Sequence, residues 1–131
     1  MKVLKILSDN YSFLFLKHNF EIIKGKFYGN NSGFVIASNN IINIKIICER
    51  NEDIYTEVSS CQKTDEWFEL EIIKYYLLPQ KVFAFMPFNE QVDYLSSNVL
   101  SIIQLFSENI NLHINELIKI RKMRADLSFN I

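Results

Sequence analysis

The spacing of apolar residues changes partway along this chain, and that change limits the folds it can adopt. Between Phe20 and Ser60 the apolar residues recur in short runs that Gly and Asn interrupt, as they do in strands. From Asp65 onward they recur every three or four positions, as they do in helices. Strands followed by helices in a chain of 131 residues predict one α+β domain that covers residues 1–131.

Four strands are predicted, and short turns rich in Asn and Gly separate them. Their expected ranges are 20–27, 34–38, 41–49 and 53–59. The third has the clearest alternation, with Ile42, Ile44 and Ile46 on one face and Asn43 and Lys45 on the other. Because the connections are short, we expect an antiparallel meander, with the isoleucines more buried than Asn43 and Lys45.

Helices are predicted before and after this sheet. An N-terminal helix within residues 2–18 is weak or broken near residues 8–10, and Asn19 is a suitable stop. A second helix opens at 64–66 with Asp65 as its cap, and Pro79 ends it. Residues 80–88 form either a packed connection or a short strand. The remaining residues form two helices with a break near Ser107, or one long bent helix. The three C-terminal helices are expected to pack on one face of the sheet.

Composition excludes several classes of protein. A net charge of −1 does not favour direct binding to nucleic acid through a bulk positive field. The longest apolar stretches stop well short of the roughly 18 residues that a membrane span needs, and the N-terminal one is too short for a secretory signal. The two cysteines, Cys48 and Cys61, do not form a disulfide framework, and they are predicted to stay unpaired. A cytoplasmic location is therefore expected.

The chain has few residues of recognisable catalytic or metal-binding pattern. His113 and Glu116 would meet on a helix, but helical di-metal sites use such pairs in duplicate with further carboxylates. No glycine-rich phosphate loop, C-x-x-C pair or H-E-x-x-H motif is present. We therefore predict no catalytic residue, no metal, no cofactor and no enzymatic activity. A small hydrolase that uses an acid pair is the least favoured alternative.

Acidic residues are concentrated in the middle of the chain. Eight of the 15 acids lie between Glu49 and Glu71, where only Arg50 and Lys63 offset them. A surface of that sign would steer a basic protein partner, such as a nuclease domain; the plainer reading is ordinary solvated charge. Basic residues near the C-terminus are attributed to a favourable helix dipole, and phosphate binding is the less favoured alternative: Lys119, Arg121, Lys122 and Arg124.

Three stretches, residues 13–22, 44–50 and 66–70, resemble small bacterial proteins with a plan of helix, four-strand meander and helices. Such proteins resemble the immunity partners of polymorphic or contact-dependent growth inhibition toxins. In that family pattern Gly follows the acid–Arg pair, whereas Asn51 follows Glu49-Arg50 here. The resemblance implies a fold more than an activity, because its motifs are structural.

This resemblance and the acidic stretch together give a functional expectation. We expect an immunity protein that binds and neutralises a cognate bacterial toxin with a basic surface. It would be a monomer or weak dimer. The alternative is a non-enzymatic adaptor module with an unrelated partner. The expected partner-binding residues include the possible anchors Tyr55 and Trp67. The full set is Glu49, Glu52, Asp53, Tyr55, Glu57, Asp65, Glu66, Trp67 and Glu69.

Overall fold

A computed structural model describes residues 2–29, 31–50, 53–78 and 83–129 of the chain. The predicted α+β class is confirmed: helices lie before and after an antiparallel sheet. The elements in chain order are α1 (Lys2–Asn10), α2 (Ser12–Lys17), β1 (Glu21–Phe27), β2 (Gly33–Ser38), β3 (Ile42–Cys48), β4 (Ile54–Ser60), β5 (Lys63–Glu69), α3 (Leu70–Leu77), α4 (Phe88–Leu105) and α5 (Ile110–Phe129).

The sheet is a meander in which each strand pairs with the next one along the chain. Its order is β1-β2-β3-β4-β5, and every pairing is antiparallel. The four predicted strands are present, but the sheet has five, so the predicted number of strands was wrong. β1 and β5 form its two edges. The isoleucines of β3 are more buried than their polar neighbours, as predicted: Ile42, Ile44 and Ile46 are fully buried. Lys45 is half-buried, but Asn43 is also buried, at 5% exposed, so the alternation is incomplete.

The fifth strand occupies residues that were predicted to open a helix. Asp65 lies within β5 and caps no helix, and α3 begins at Leu70. β5 pairs with β4 through Glu69–Glu57 and Phe68–Val58, and the register then shifts. The strand runs directly into α3 without a loop, so its last residues share the helical spacing that follows. Pro79, predicted to end this helix, lies outside the described residues.

The N-terminal segment is two helices instead of one. α1 and α2 are separated at Tyr11, just beyond the predicted weak point. Asn19 has a φ of 59°, which is the left-handed conformation expected of a helix stop. The main-chain N–H groups of His18 and Phe20 both donate to the carbonyl of Leu14, which closes the end of α2.

The C-terminal region contains separate helices, as the break near Ser107 predicted. α4 ends at Leu105, and α5 starts at Ile110 after Asn109, whose φ is 52°. Residues 83–87 have no regular structure, so the described part of the uncertain 80–88 segment is a connection. Met86 anchors this connection in the hydrophobic core, since its side chain is 1% exposed, whereas the neighbouring Phe85 is 71% exposed.

One face of the sheet carries the hydrophobic core. Ala37, Ile44, Val58 and Phe68 follow one another across β2 to β5 on this face, and all four are fully buried. Buried side chains from all five helices join the same cluster. Within it the hydroxyls of Tyr11 and Thr56 share a hydrogen bond of 2.9 Å, which satisfies two polar groups that have lost contact with water.

The two cysteines lie at opposite ends of the β3–β4 pair. Cys48 is paired with Ile54, whereas Cys61 follows Ser60, the register partner of Ile42. Both are free thiols. Cys61 donates a hydrogen bond to Asn43 Oδ1 at 3.3 Å. Separately, none of the helices within the described residues combines the length and apolar character needed to cross a membrane.

Candidate protein-binding face

The second face of the sheet is turned away from the core. Opposed residues on neighbouring antiparallel strands share a face, so the register identifies its members. One row crosses all five strands: Lys24, Ile36, Lys45, Glu57 and Glu69. The helices contribute their buried side chains to the opposite face.

A second row runs beside the first, nearer the β3–β4 hairpin. It consists of Lys26, Phe34, Ile47 and Tyr55. Phe34, Ile47 and Tyr55 are each half-buried, and none belongs to the core cluster. We call these two rows, together with Trp67, the open face. Its centre is apolar and aromatic, and its two sides are charged.

Lys45 contacts two aromatic rings and a carboxylate in the middle of the open face. Its Nζ lies 4.1 Å from the centroid of the Trp67 ring and 5.5 Å from that of Phe34. The same atom is 3.9 Å from Glu57 Oε1. The lysine stem covers apolar surface while its charge remains paired with the carboxylate. Only 19% of the Lys45 side chain is exposed, so this cluster is well packed.

The acids on this side of the sheet are partly withdrawn from water. Burial raises the pKa of Glu57, and the nearby Lys45 opposes that effect. Burial likewise raises the pKa of Glu71 in the first turn of α3. Both terminal nitrogens of Arg124 donate hydrogen bonds to the Glu69 carboxylate, at 2.8 and 3.2 Å. Burial and ion pairs therefore hold the carboxylates on this side of the sheet in defined positions.

Helix α5 closes the edge of the sheet beside this face. Arg121 donates to the main-chain carbonyl of Trp67 at 3.0 Å and to Glu66 Oε2 at 2.8 Å. Arg121 and Arg124 thus offset two acids, Glu66 and Glu69, that were expected to face a partner. These two arginines therefore have ion-pair partners in addition to the helix-dipole role expected from the sequence.

The β3–β4 hairpin end has a different character, because its acids are exposed. Glu49 and Asp53 are both solvent-exposed, and the Glu49 main-chain N–H donates to the Asp53 carbonyl at 3.0 Å. The Tyr55 hydroxyl donates to Asp53 Oδ2 at 3.3 Å. Beside them is a shallow hollow of about 400 Å³ whose walls include Phe34, Ile47 and Glu49. This end places the acids Glu49 and Asp53, and the exposed Arg50, next to apolar surface.

The structure brings most of the predicted partner-binding residues together. Those that lie on the open face or at the hairpin end are Glu49, Asp53, Tyr55, Glu57, Trp67 and Glu69. Asp65 is exposed on β5, and Glu66 is bound by Arg121. Glu52 lies outside the described residues.

Sequence reasoning missed the half of the open face that β1 and β2 supply. Its apolar members are Phe34 and Ile36, and its basic members are Lys24 and Lys26. One signal was available, because the run Phe34–Ala37 is apolar at every position. A strand with apolar residues at both odd and even positions presents apolar side chains on both faces of the sheet. Both faces then carry apolar surface that is stabilised when it is covered.

Other candidates have structural roles. His113 Nδ1 shares a hydrogen bond of 2.8 Å with the Tyr76 hydroxyl, and Glu116 accepts one of 3.1 Å from Lys119. The H-x-x-E pair is thus engaged elsewhere. Within the described ranges, no group of three or more His, Cys, Asp or Glu side chains is arranged to hold a metal ion.

Comparison of the chain with protein-family models, with curated proteins and with solved structures finds no match in any of the three.

Proposed function

We propose that this chain is an immunity protein, a non-enzymatic cytoplasmic inhibitor that binds a cognate bacterial toxin domain and blocks its active site or substrate surface. One observation carries the proposal: acids and aromatic side chains of β4 and β5 lie together on the face of the sheet that the helices leave open. The resemblance of three stretches to immunity proteins agrees with this arrangement, and the alternative adaptor module would use the same face.

The composition of the open face suits a protein partner. Protein interfaces combine an apolar, aromatic centre with a polar rim, and Trp and Tyr often supply most of the binding energy. Here Phe34, Ile47 and Tyr55 form the centre, and charged residues lie on both sides. Lys45 holds the Trp67 ring in place, so little side-chain entropy would be lost when that ring is covered.

The exposed acids at the hairpin end favour a basic partner. Glu49 and Asp53 are exposed, whereas Glu66 and Glu69 are bound by arginines of α5. Long-range steering of a basic toxin therefore depends mainly on the hairpin end. A toxin that itself binds nucleic acid has a basic surface of the required sign.

The test uses the C-terminal domain of the protein encoded by the neighbouring gene, which this proposal expects to be toxic. The variant Glu49→Lys/Asp53→Lys reverses two exposed charges and leaves the main-chain hydrogen bond between these residues in place. The matched control Glu108→Lys/Asp126→Lys makes the same charge change at exposed positions elsewhere. Growth on co-expression measures protection, and stopped-flow binding at two salt concentrations measures association.

We expect the hairpin variant to associate at least about tenfold more slowly at low salt and to lose most of the salt dependence, because opposed charges steer encounter. The control should behave as the parent does. Equal association rates and full protection by the hairpin variant would show that the acidic end does not bind the toxin. A neighbouring product that is not toxic, or is toxic but does not bind the parent chain, would overturn the immunity proposal.

A further inference from the structure

The two edges of the sheet differ in how they are covered. At the β5 edge, Arg121 of α5 donates a hydrogen bond to the main-chain carbonyl of Trp67. At the β1 edge, every residue from Glu21 to Lys26 is exposed. An edge strand presents main-chain N–H and C=O groups that a further strand can bind. The β1 edge is therefore the side on which this sheet can be extended.

The register shows which main-chain groups of β1 face outward. At the turn that joins β1 to β2, the Tyr28 N–H donates to the Ser32 carbonyl at 3.0 Å. Hydrogen-bonded and non-hydrogen-bonded pairs alternate along an antiparallel ladder, so positions 27 and 25 form non-hydrogen-bonded pairs with β2. The main-chain N–H and C=O groups of Gly25 and Phe27 therefore point away from the sheet. They offer two donors and two acceptors to a further strand.

The side chains along this edge favour a strand that alternates acidic and apolar residues. Lys24 and Lys26 are exposed on the open face, and among the described residues no carboxylate lies within ion-pair distance of either. Opposite charges on directly opposed residues stabilise strand pairing. Glu21 lies beyond the register shift that follows Ile22, away from the two lysines. On the other face of β1, Ile22 pairs with Ala37 and is 50% exposed, so apolar side chains suit that side.

The same lysines oppose pairing with a second copy of this chain. Antiparallel pairing of two β1 strands about Gly25 sets Lys24 of each copy directly against Lys26 of the other, and like charges so placed are destabilising. The Lys26 Nζ lies 5.5 Å from the centroid of the Tyr28 ring, a contact that leaves its positive charge in place. The charge of the edge therefore selects against a second copy and in favour of an acidic strand.

We propose that the β1 edge binds an extended segment of a partner protein as an additional antiparallel strand. This segment carries acidic side chains opposite Lys24 and Lys26, and apolar side chains at the positions between them. Main-chain hydrogen bonds supply affinity in this mode of recognition, and the alternate side chains supply specificity. The inference does not rest on the proposed function, because strand binding needs no toxin. Failure of either proposal leaves the other intact.

The test uses the purified chain and an acetylated, amidated peptide in which valine and glutamate alternate. Amide hydrogen exchange, followed residue by residue by NMR, should be fast at Gly25 and Phe27 in the free chain. Saturating peptide should slow exchange at both amides at least about tenfold, because their N–H groups then donate to the added strand. Two control peptides should not slow it. One has lysine in place of glutamate, and the other keeps its glutamates but is N-methylated at the valines.

Charge reversal on the edge gives a gain of binding that an unfolded variant cannot show. Lys24→Glu/Lys26→Glu should bind the valine–lysine peptide and should bind the valine–glutamate peptide at least about tenfold more weakly than the parent does. Lys119→Glu/Lys122→Glu makes the same charge change at exposed positions of α5 and should keep the parent's preference. Equal protection by the N-methylated peptide, or an unchanged preference in the edge variant, overturns the proposal. Protection of the two outward amides that rises with the concentration of the chain alone would identify a second copy as the occupant, and it also overturns the proposal.

Discussion

Arg121 on α5 donates a hydrogen bond of 3.0 Å to the main-chain carbonyl of Trp67 on the edge strand β5, 54 positions earlier in the chain. Its guanidinium also lies 4.9 Å from the centroid of the Phe68 ring. Edge strands leave such carbonyls open to other strands unless something covers them. The helix therefore closes one edge of the sheet, and the basic residues near the C-terminus hold it there.

Removing this contact should loosen α5 without unfolding the sheet. Arg121→Ala is expected to lower the free energy of unfolding by about 1–2 kcal/mol, since a charge-assisted hydrogen bond is lost at a partly exposed site. Lys119→Ala removes an ion pair of the same helix whose lysine is 72% exposed, and it should cost less than about 0.5 kcal/mol. Urea unfolding gives both values, and hydrogen exchange should show faster exchange in β5 for Arg121→Ala only. Equal losses for the two variants would contradict the closing role.

The turn between β1 and β2 provides a comparison of two glycines with positive φ. Gly29 has a φ of +114° and open space around the position of a Cβ, whereas Gly33 has a φ of +150°. A Cβ at Gly33 would collide with the carbonyl oxygen of Lys26 and lie 3.0 Å from the Phe27 Cα. Gly29→Ala should therefore cost about 1–2 kcal/mol from backbone strain, and Gly33→Ala about 3 kcal/mol or more. Thermal unfolding of both variants measures the difference, and equal costs would mean that the collision is relieved without loss of pairing.

The sequence predicted the parts of the fold that depend on local pattern. Alternation placed Ile42, Ile44 and Ile46 correctly in the core, and Asn19 marked a true stop. β5 was missed because it is an edge strand whose first residues are polar and exposed, so no alternation marks it. Its acids resemble the first turn of a helix, and it leads directly into α3.

The candidate site was predicted only in part, for a different reason. Residues of β4 and β5 were chosen for their charge and aromatic character, and the register brought them together. Phe34 and Ile47 join them only because the meander sets β2 beside β3. The Arg124–Glu69 pair spans 55 positions, and no local pattern in one sequence predicts such a contact.

Tyr11 gives the fold a specific sensitivity to alkaline pH. Burial raises the pKa of its hydroxyl from 10.0 to about 12, and the hydrogen bond to Thr56 partly opposes that shift. The folded state thus favours the neutral phenol, so the stabilisation is complete below about pH 10 and is lost as the pH rises through about 12. Two pKa units correspond to about 3 kcal/mol.

In Tyr11→Phe the free energy of unfolding should therefore decrease less than in the parent as the pH rises from about 10 to about 12. At pH 7 the variant is expected to lose about 1 kcal/mol, because Thr56 loses its buried partner. Toward pH 12 this deficit should shrink and then reverse. Urea unfolding at intervals between pH 7 and 12 measures the change. Tyr28→Phe, at a residue 57% exposed, is the control and should follow the parent. Parallel curves for the parent and Tyr11→Phe would contradict the assignment.

Lys45 contacts both Glu57 and the Trp67 ring. Removing its charge should lower the free energy of unfolding by an amount that depends on pH. Lys45→Met keeps most of the stem that packs on the rings, but it removes the cation from Trp67 and from the half-buried carboxylate. Burial already raises the pKa of Glu57 and Lys45 opposes that effect, so the variant should raise the pKa further. At pH 7 the expected cost is about 1–2 kcal/mol.

That cost should fall as Glu57 becomes protonated. A raised carboxyl pKa favours the folded state at low pH, and the benefit is lost as the pH rises above the ordinary value near 4.5. The variant should therefore be closer to the parent at pH 4 than at pH 7. Trp67 is the one tryptophan of the chain, so its fluorescence reports unfolding in urea at both pH values. Lys24→Met, an exposed lysine of the same row, is the matched control, and Lys45→Met/Glu57→Gln should recover most of the loss at pH 7. A cost for Lys45→Met that is the same at both pH values would mean that its contact with the aromatic rings, and not its pairing with Glu57, holds the centre of the open face together.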